Sequence, residues 1–170
     1  VTVYYAAHAS NGYSFSQGFR TPTPDITGQR LKQPRLEVNK ATYILQLFDG
    51  SRCLKRYPVA FGADPIHRKL HQDNRTTPEG RYCISNLQTQ ATYYRALDLD
   101  YPTAVDRARY QLLAPSQGIG GEIQIHGRGI AINWTWGCIA MLNEDMDELF
   151  SLQNFKAGCP VWIYGGELTR

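Results

Sequence analysis

The chain has 170 residues, long enough for one domain with a real hydrophobic core. Hydrophobic residues make up 42% and charged residues 19%, ordinary for a folded globular protein, and a net charge of +3 is too small to imply nucleic acid. No apolar run approaches the roughly 18 residues of a membrane span. Val1-Thr2-Val3-Tyr4-Tyr5 lacks the basic start and apolar stretch of a signal peptide, so export would imply a leader already removed from this chain.

Residues 1–34 read as an N-terminal arm. They hold Ser10-Asn11-Gly12, Gly18, Thr21-Pro22-Thr23-Pro24 and Pro34 with weak periodicity, and Tyr4, Tyr5, Phe15 and Phe19 are their candidate contacts with a domain over residues 35–167. Leu36 and Val38 then alternate with charged neighbours. Thr42 to Phe48 reads as a strand, Asp49-Gly50 as a hairpin turn, and Arg52 to Phe61 as the return strand, with Pro58 placing part of it at an edge or bulge. After a polar, basic segment (64–74), Thr77-Pro78-Glu79-Gly80 predicts a turn and Arg81 to Ser85 a short strand. Thr103 is placed to cap a helix over Ala104 to Leu113. Glu122 to His126 alternates like a strand. Asn143-Glu144-Asp145 is expected to cap a second helix reaching about Gln153, with Met146, Leu149, Phe150 and Leu152 on its apolar side. Val161 to Tyr164 is expected as a last strand. The balance is mainly β, a sandwich or barrel-like fold with a few short helices and not a doubly wound sheet.

The four cysteines (Cys53, Cys83, Cys138 and Cys159) form no CxxC pair, which argues against a zinc ribbon or a thioredoxin-like motif. They fit either buried inert thiols or one disulfide among Cys53, Cys83 and Cys159 with Cys138 free. Cys138 stands apart because Gly137 precedes it, and His126 closes a strand-like segment eleven residues upstream of that pair. A thiol reacts as its thiolate, and an imidazole can take its proton. The expected roles are Cys138 as nucleophile and His126 as general base, then acid. The amides of Gly137 and Cys138 would stabilise an oxyanion, since glycine opens backbone geometry closed to other residues. His67 and His71, four apart, would share a face only on a helix, and no Glu lies between them in the zincin manner, so no metal is expected.

The text around this pair resembles the L,D-transpeptidase catalytic domain (the YkuD family). That family carries a His-Gly at a strand end, then Ser/Thr-His-Gly-Cys-Ile/Val-Arg-Met/Leu with an Asn shortly after. Here these positions read His126-Gly127, Thr135-Trp136-Gly137-Cys138-Ile139-Ala140-Met141 and Asn143. Thr42 to Gly62 resembles the family's opening hairpin, Thr77-Pro78-Glu79-Gly80-Arg81-Tyr82 its Thr-Pro-x-Gly-x-Tyr/Phe turn, and Gly158-Cys159-Pro160-Val161 its Gly-Thr-Pro-Val before the final strand. Trp136 and Ala140 stand where most members keep His and Arg. Trp134-Thr135-Trp136-Gly137-Cys138-Ile139-Ala140 is similar to a divergent branch that keeps Trp-Thr-x-Gly-Cys-Ile-Ala.

The resemblance implies acyl transfer on peptidoglycan stem peptides through a thioester on Cys138, without a cofactor, in the periplasm or cell envelope. An amine acceptor makes a transpeptidase, and water makes an L,D-carboxypeptidase or related hydrolase. The competing class is a wall-binding domain that keeps the fold without the chemistry. Candidate substrate contacts are Arg128, which could supply the carboxylate fork lost at Ala140, with Thr135, Trp136 and Tyr82. Arg68, Lys69 and His71 are further candidates for meeting stem-peptide carboxylates along the cleft. Asn143 is expected as a helix N-cap that also steadies the Cys loop.

Overall fold

A computed structural model describes residues 24–113 and 116–166, together with the backbone of a small pairing in the N-terminal arm. That pairing joins β1 (Ala7–His8) to β2 (Ser14–Phe15). The arm contacts expected from Tyr4, Tyr5, Phe15 and Phe19 lie outside the described side chains. Packing into the domain starts before residue 35: Ile26 and Leu31 are buried in the main core, and the Leu31 amide donates to the Gln153 carbonyl at 3.0 Å.

The eight further strands are β3 (Pro34–Asn39), β4 (Ile44–Asp49), β5 (Arg52–Pro58), β6 (Gly80–Ala91), β7 (Tyr94–Leu99), β8 (Gln124–His126), β9 (Ile139–Ala140) and β10 (Pro160–Tyr164). Their spatial order is β5-β4-β3-β10-β6-β7-β8-β9. The pairing is antiparallel except for β10 with β3 and β8 with β9. The sheet curls on itself. Ala60, just past the β5 edge, exchanges two backbone hydrogen bonds of 3.0 and 2.8 Å with Ala140 at the β9 edge. Closure of this kind covers strand edges that would otherwise present unpaired N–H and C=O groups. This is the mainly β, barrel-like fold with short helices that the sequence predicts.

The first hairpin forms as its residues dictate. Asp49 opposes Arg52 across a two-residue turn, and Gly50 takes φ +62°, which glycine accepts without steric cost. Pro58 ends β5 on the sheet edge, where a missing N–H costs no ladder bond. The main departure from expectation is β6. It runs 12 residues, well beyond Ser85, and turns back into β7, which the sequence does not advertise. The first half of β6 pairs with β10 and the second half with β7, so this strand joins the two parts of the sheet.

Helix α1 (Ala104–Leu113) starts as predicted. The Thr103 backbone N–H donates to Asp106 Oδ2 at 2.9 Å and its hydroxyl to the same oxygen at 2.7 Å, so Asp106 reaches back over the first turn. Helix α2 (Asn143–Ser151) buries Met146 and Leu149 in the core, but its N-cap is Leu142, not Asn143. The Asn143 side chain serves the His126 turn instead, as described below. One apolar core takes Leu36, Val38, Leu45, Leu47, Ile84, Leu97, Ile125, Ile139, Val161 and Ile163 from the strands, and Met146 and Leu149 from α2. All four cysteines are free thiols, so none of the sequence-compatible disulfides is present.

Candidate active site

The parallel pairing of β8 with β9 builds the site. Ile125 opposes Ile139, and His126 opposes Ala140. Side chains alternate across a strand, so the two isoleucines enter the main core while His126 and Ala140 face the other way. Ala140 belongs to a second, smaller apolar cluster with Ala60 and Ile130, bordered by Trp134 and Leu142. Cys138 lies two residues before Ala140, just ahead of β9.

His126 is buried, and its Nδ1 lies 2.8 Å from the Gly127 carbonyl. A carbonyl only accepts, so Nδ1 carries the hydrogen and the Nε2 lone pair is left for a proton. The ring packs in a triangle with Tyr93 (centroids 4.8 Å apart) and Trp134 (5.4 Å), which meet each other edge-on at 5.2 Å. Burial pushes the imidazole pKa down, partly offset by the Gly127 bond, so the neutral base form is favoured. The turn after His126 is held by Asn143, whose Oδ1 accepts the Arg128 amide at 2.8 Å. Gly127 leaves room for that contact, because a Cβ there would come within 2.5 Å of the same oxygen.

Gly137 is required where it stands. Its φ is +128°, and a Cβ would fall 2.7 Å from the Thr76 carbonyl oxygen. Thr135 staples the turn: its amide bonds the Phe61 carbonyl at 3.2 Å, its hydroxyl donates to the Cys138 carbonyl at 2.6 Å, and the Gly137 amide donates to that hydroxyl at 3.2 Å. The Cys138 thiol donates to the Glu122 carbonyl at 3.5 Å, presented by a residue at φ +54°. Burial raises the Cys138 pKa. A backbone hydrogen bond from Gln124 and the charge of Lys69 act against that rise, while Glu122 and Asp98 add to it. Positive φ at Arg75, Glu122 and Arg128 marks strained backbone in the loops around this face, a common property of functional sites.

The other predicted site residues are distributed as follows. Trp136 is 58% exposed, with the Arg75 guanidinium 4.2 Å above its ring. Arg128 is exposed, its guanidinium 5.8 Å from the Tyr93 ring. Thr135 is buried and its hydroxyl is spent inside the Cys turn. Tyr82 is buried in β6, donating to Asp106 at 3.1 Å, and presents no open face. His71 is half-buried, its Nδ1 2.6 Å from the Gln72 carbonyl, and Arg68 reaches Glu79 at 3.8 Å. His67 and His71 do not share a helix. Sequence reading missed Tyr93, because it falls in the turn between β6 and β7 and only register brings it onto His126.

The curled mixed sheet with two short helices defines a mainly β, barrel-like domain. Residues 33–163 match the L,D-transpeptidase catalytic domain (YkuD), and the chain belongs to that family. YafK of Escherichia coli (strain K12), provisionally named an L,D-transpeptidase, is 31% identical over 100 residues, 57% of this chain and 36% of YafK. The chain thus matches about a third of that relative's length. The fold is shared with the helical cell shape determining protein Pgp2 of Campylobacter jejuni, at TM-score 0.62 and 22% identity over 86% of this chain and 53% of Pgp2. An L,D-transpeptidase from Xylanimonas cellulosilytica is also similar, with TM-score 0.53 and 17% identity over 85% of this chain and 64% of that one. Members of the family act on peptidoglycan. Among the described residues no helix is long and apolar enough to cross a membrane.

Proposed function

We propose that this domain transfers an acyl group of a peptidoglycan stem peptide through a thioester on Cys138, at the cell envelope and without a cofactor. What supports this reading is the β8–β9 register, which sets His126 opposite Ala140, two residues after Cys138 in the chain. In the first step the Cys138 sulfur attacks the meso-diaminopimelate carbonyl bonded to D-alanine, and its proton passes to His126 Nε2. A C–S bond forms and the carbonyl becomes an oxyanion. The Cys138 amide receives that oxyanion with the Gly137 amide, which exchanges its bond to Thr135 for the substrate. His126 then gives the proton to the departing D-alanine nitrogen as the C–N bond breaks. An acceptor amine attacks the thioester, loses its proton to His126, and sulfur leaves. Water in place of the amine gives a tripeptide. Exposed Trp136 and Arg128 flank the opening as substrate contacts.

Incubation with purified tetrapeptide stems followed by mass spectrometry tests this reading. Cross-linked dimers are the expected product. Tripeptide alone would make the domain an L,D-carboxypeptidase. No product would leave a wall-binding domain, and full activity in Cys138→Ala would overturn the thioester on Cys138.

A further inference from the structure

The face of the sheet that carries His126 continues away from it as a polar patch. Asp98 on β7 opposes Gln124 on β8, and Ala96 opposes His126. On β6, Asn86 opposes Asp98 and Gln88 opposes Ala96. Cross-strand partners share a face, so Asn86, Gln88, Asp98 and Gln124 all lie on the side of His126. Three side-chain amides converge on the Asp98 carboxylate. Gln124 Nε2 donates to Oδ1 at 2.7 Å, Gln88 Nε2 to Oδ1 at 2.8 Å and to Oδ2 at 2.9 Å, and Asn86 Nδ2 to Oδ2 at 3.0 Å. Neutral amides supply hydrogen bonds but no counter-charge. Among the described residues Asp98 has no basic partner within 4.0 Å, whereas Asp106 and Asp147 are each paired with an arginine.

An amide that turns its NH2 group to the carboxylate leaves its carbonyl oxygen on the far side. None of those three oxygens accepts a hydrogen bond from a described residue. The patch therefore offers a half-buried carboxylate with amide oxygens beside it. That is an acceptor set for a primary ammonium, which brings three N–H donors and one positive charge. A divalent metal asks for more charged ligands, and among the described residues no three His, Cys, Asp or Glu side chains group to hold one. Gln124 ties the patch to the reacting groups. Two residues before it, the Glu122 carbonyl accepts the Cys138 thiol at 3.5 Å, and two residues after it stands His126. We propose that Asp98, held by Asn86, Gln88 and Gln124, binds the free side-chain ammonium of the diaminopimelate whose carbonyl is attacked, and so selects stems with an amine there. In the extended side chain that amine lies about 7 Å from the acyl carbon. Gln124 and His126 are spaced by a similar length, roughly 6.6 Å along the strand. The inference rests on the acyl-transfer reading above, but its first test needs no turnover.

Tetrapeptide stems are prepared with that amine free or acetylated, and their binding to Cys138→Ala, which forms no thioester, is measured by calorimetry. The free-amine peptide is expected to bind about tenfold more tightly, the size of a charge-assisted hydrogen bond. Adding Asp98→Asn should bring the two affinities together, chiefly by weakening the free-amine peptide. A penalty from acetyl bulk would persist in Asp98→Asn, and a packing defect would weaken both peptides alike. Equal affinities before Asp98 is changed, an undiminished ratio afterwards, or no binding of either peptide overturns the proposal. If Asp98→Asn does not fold, Asp98→Ser is read by the same ratio. In the protein with Cys138 intact, and with a free-amine tripeptide as acceptor for both donors, kcat/KM for D-alanine release reports the steps up to the thioester. It should be about tenfold lower for the acetylated donor. Equal values would put the ammonium on the acceptor strand and overturn the assignment to the donor. An Asp98-dependent preference in binding without D-alanine release sinks the acyl-transfer reading alone, and D-alanine release with no preference sinks the Asp98 subsite alone.

Discussion

At the scale of single residues, burial decides the chemistry at His126 and Cys138 in the same direction. Low polarity disfavours both the imidazolium and the thiolate. Burial therefore favours the neutral form of each group. In the proposed mechanism turnover needs neutral His126 to accept a proton, so activity is expected to be lost as pH falls through the folded-state pKa of His126. That pKa lies below the ordinary value of 6.5 because of burial. The acid limb of kcat/KM for a stem peptide is accordingly expected below pH 6.5, and a limb at or above that value would contradict the burial argument. Tyr93 and Trp134 pack on the ring and contribute to this burial; Trp134 stands in the motif before Cys138, whereas Tyr93 does not announce itself in the sequence. The Gly137-Cys138 turn and the strand end at His126 are legible there because each depends on residues adjacent in the chain, and the family resemblance adds their proposed roles. The place of Tyr93 against the ring is not, because it comes from a distant segment.

At the scale of elements, two side chains that look like helix caps do different work. Thr103 and Asp106 satisfy the start of α1, whereas Asn143 turns away from α2 to hold the Arg128 amide. Thr103→Ala and Asn143→Ala are each expected to cost about 1 kcal/mol in chemical denaturation. Only Asn143→Ala should also lower kcat, because it loosens the turn that fixes the His126 ring. Equal effects of the two substitutions on kcat would refute that division. The second half of β6 explains why sequence periodicity understated this strand. Asn86, Gln88 and Gln124 gather around the Asp98 carboxylate on one surface of the sheet, so a polar run forms ladder without feeding the core. Strand propensity measures fit to a half-buried pleated surface, and here the buried half lies on the partner strands.

At the scale of the whole molecule, the loop over residues 64–76 is anchored by buried charge. Lys40 Nζ donates to Glu79 Oε1 at 2.9 Å with both side chains fully enclosed, and also to the carbonyls of His67 and Thr77. Removing one partner strands the other charge, so Glu79→Leu is expected to destabilise by about 3–5 kcal/mol. Lys40→Met with Glu79→Leu should recover much of that, measured by urea denaturation. A double variant no more stable than Glu79→Leu would show that the carbonyl contacts of Lys40, and not its ion pair, hold the loop. The first hairpin, both helices, the final strand and the Gly137-Cys138 turn follow from the sequence, because each depends on residues within a few positions of one another. The closure of the sheet at Ala60–Ala140, the aromatic enclosure of His126 and the redirected Asn143 belong to the tertiary structure. Each joins segments far apart in the chain, and register and burial, which no local pattern encodes, determine which side chains meet.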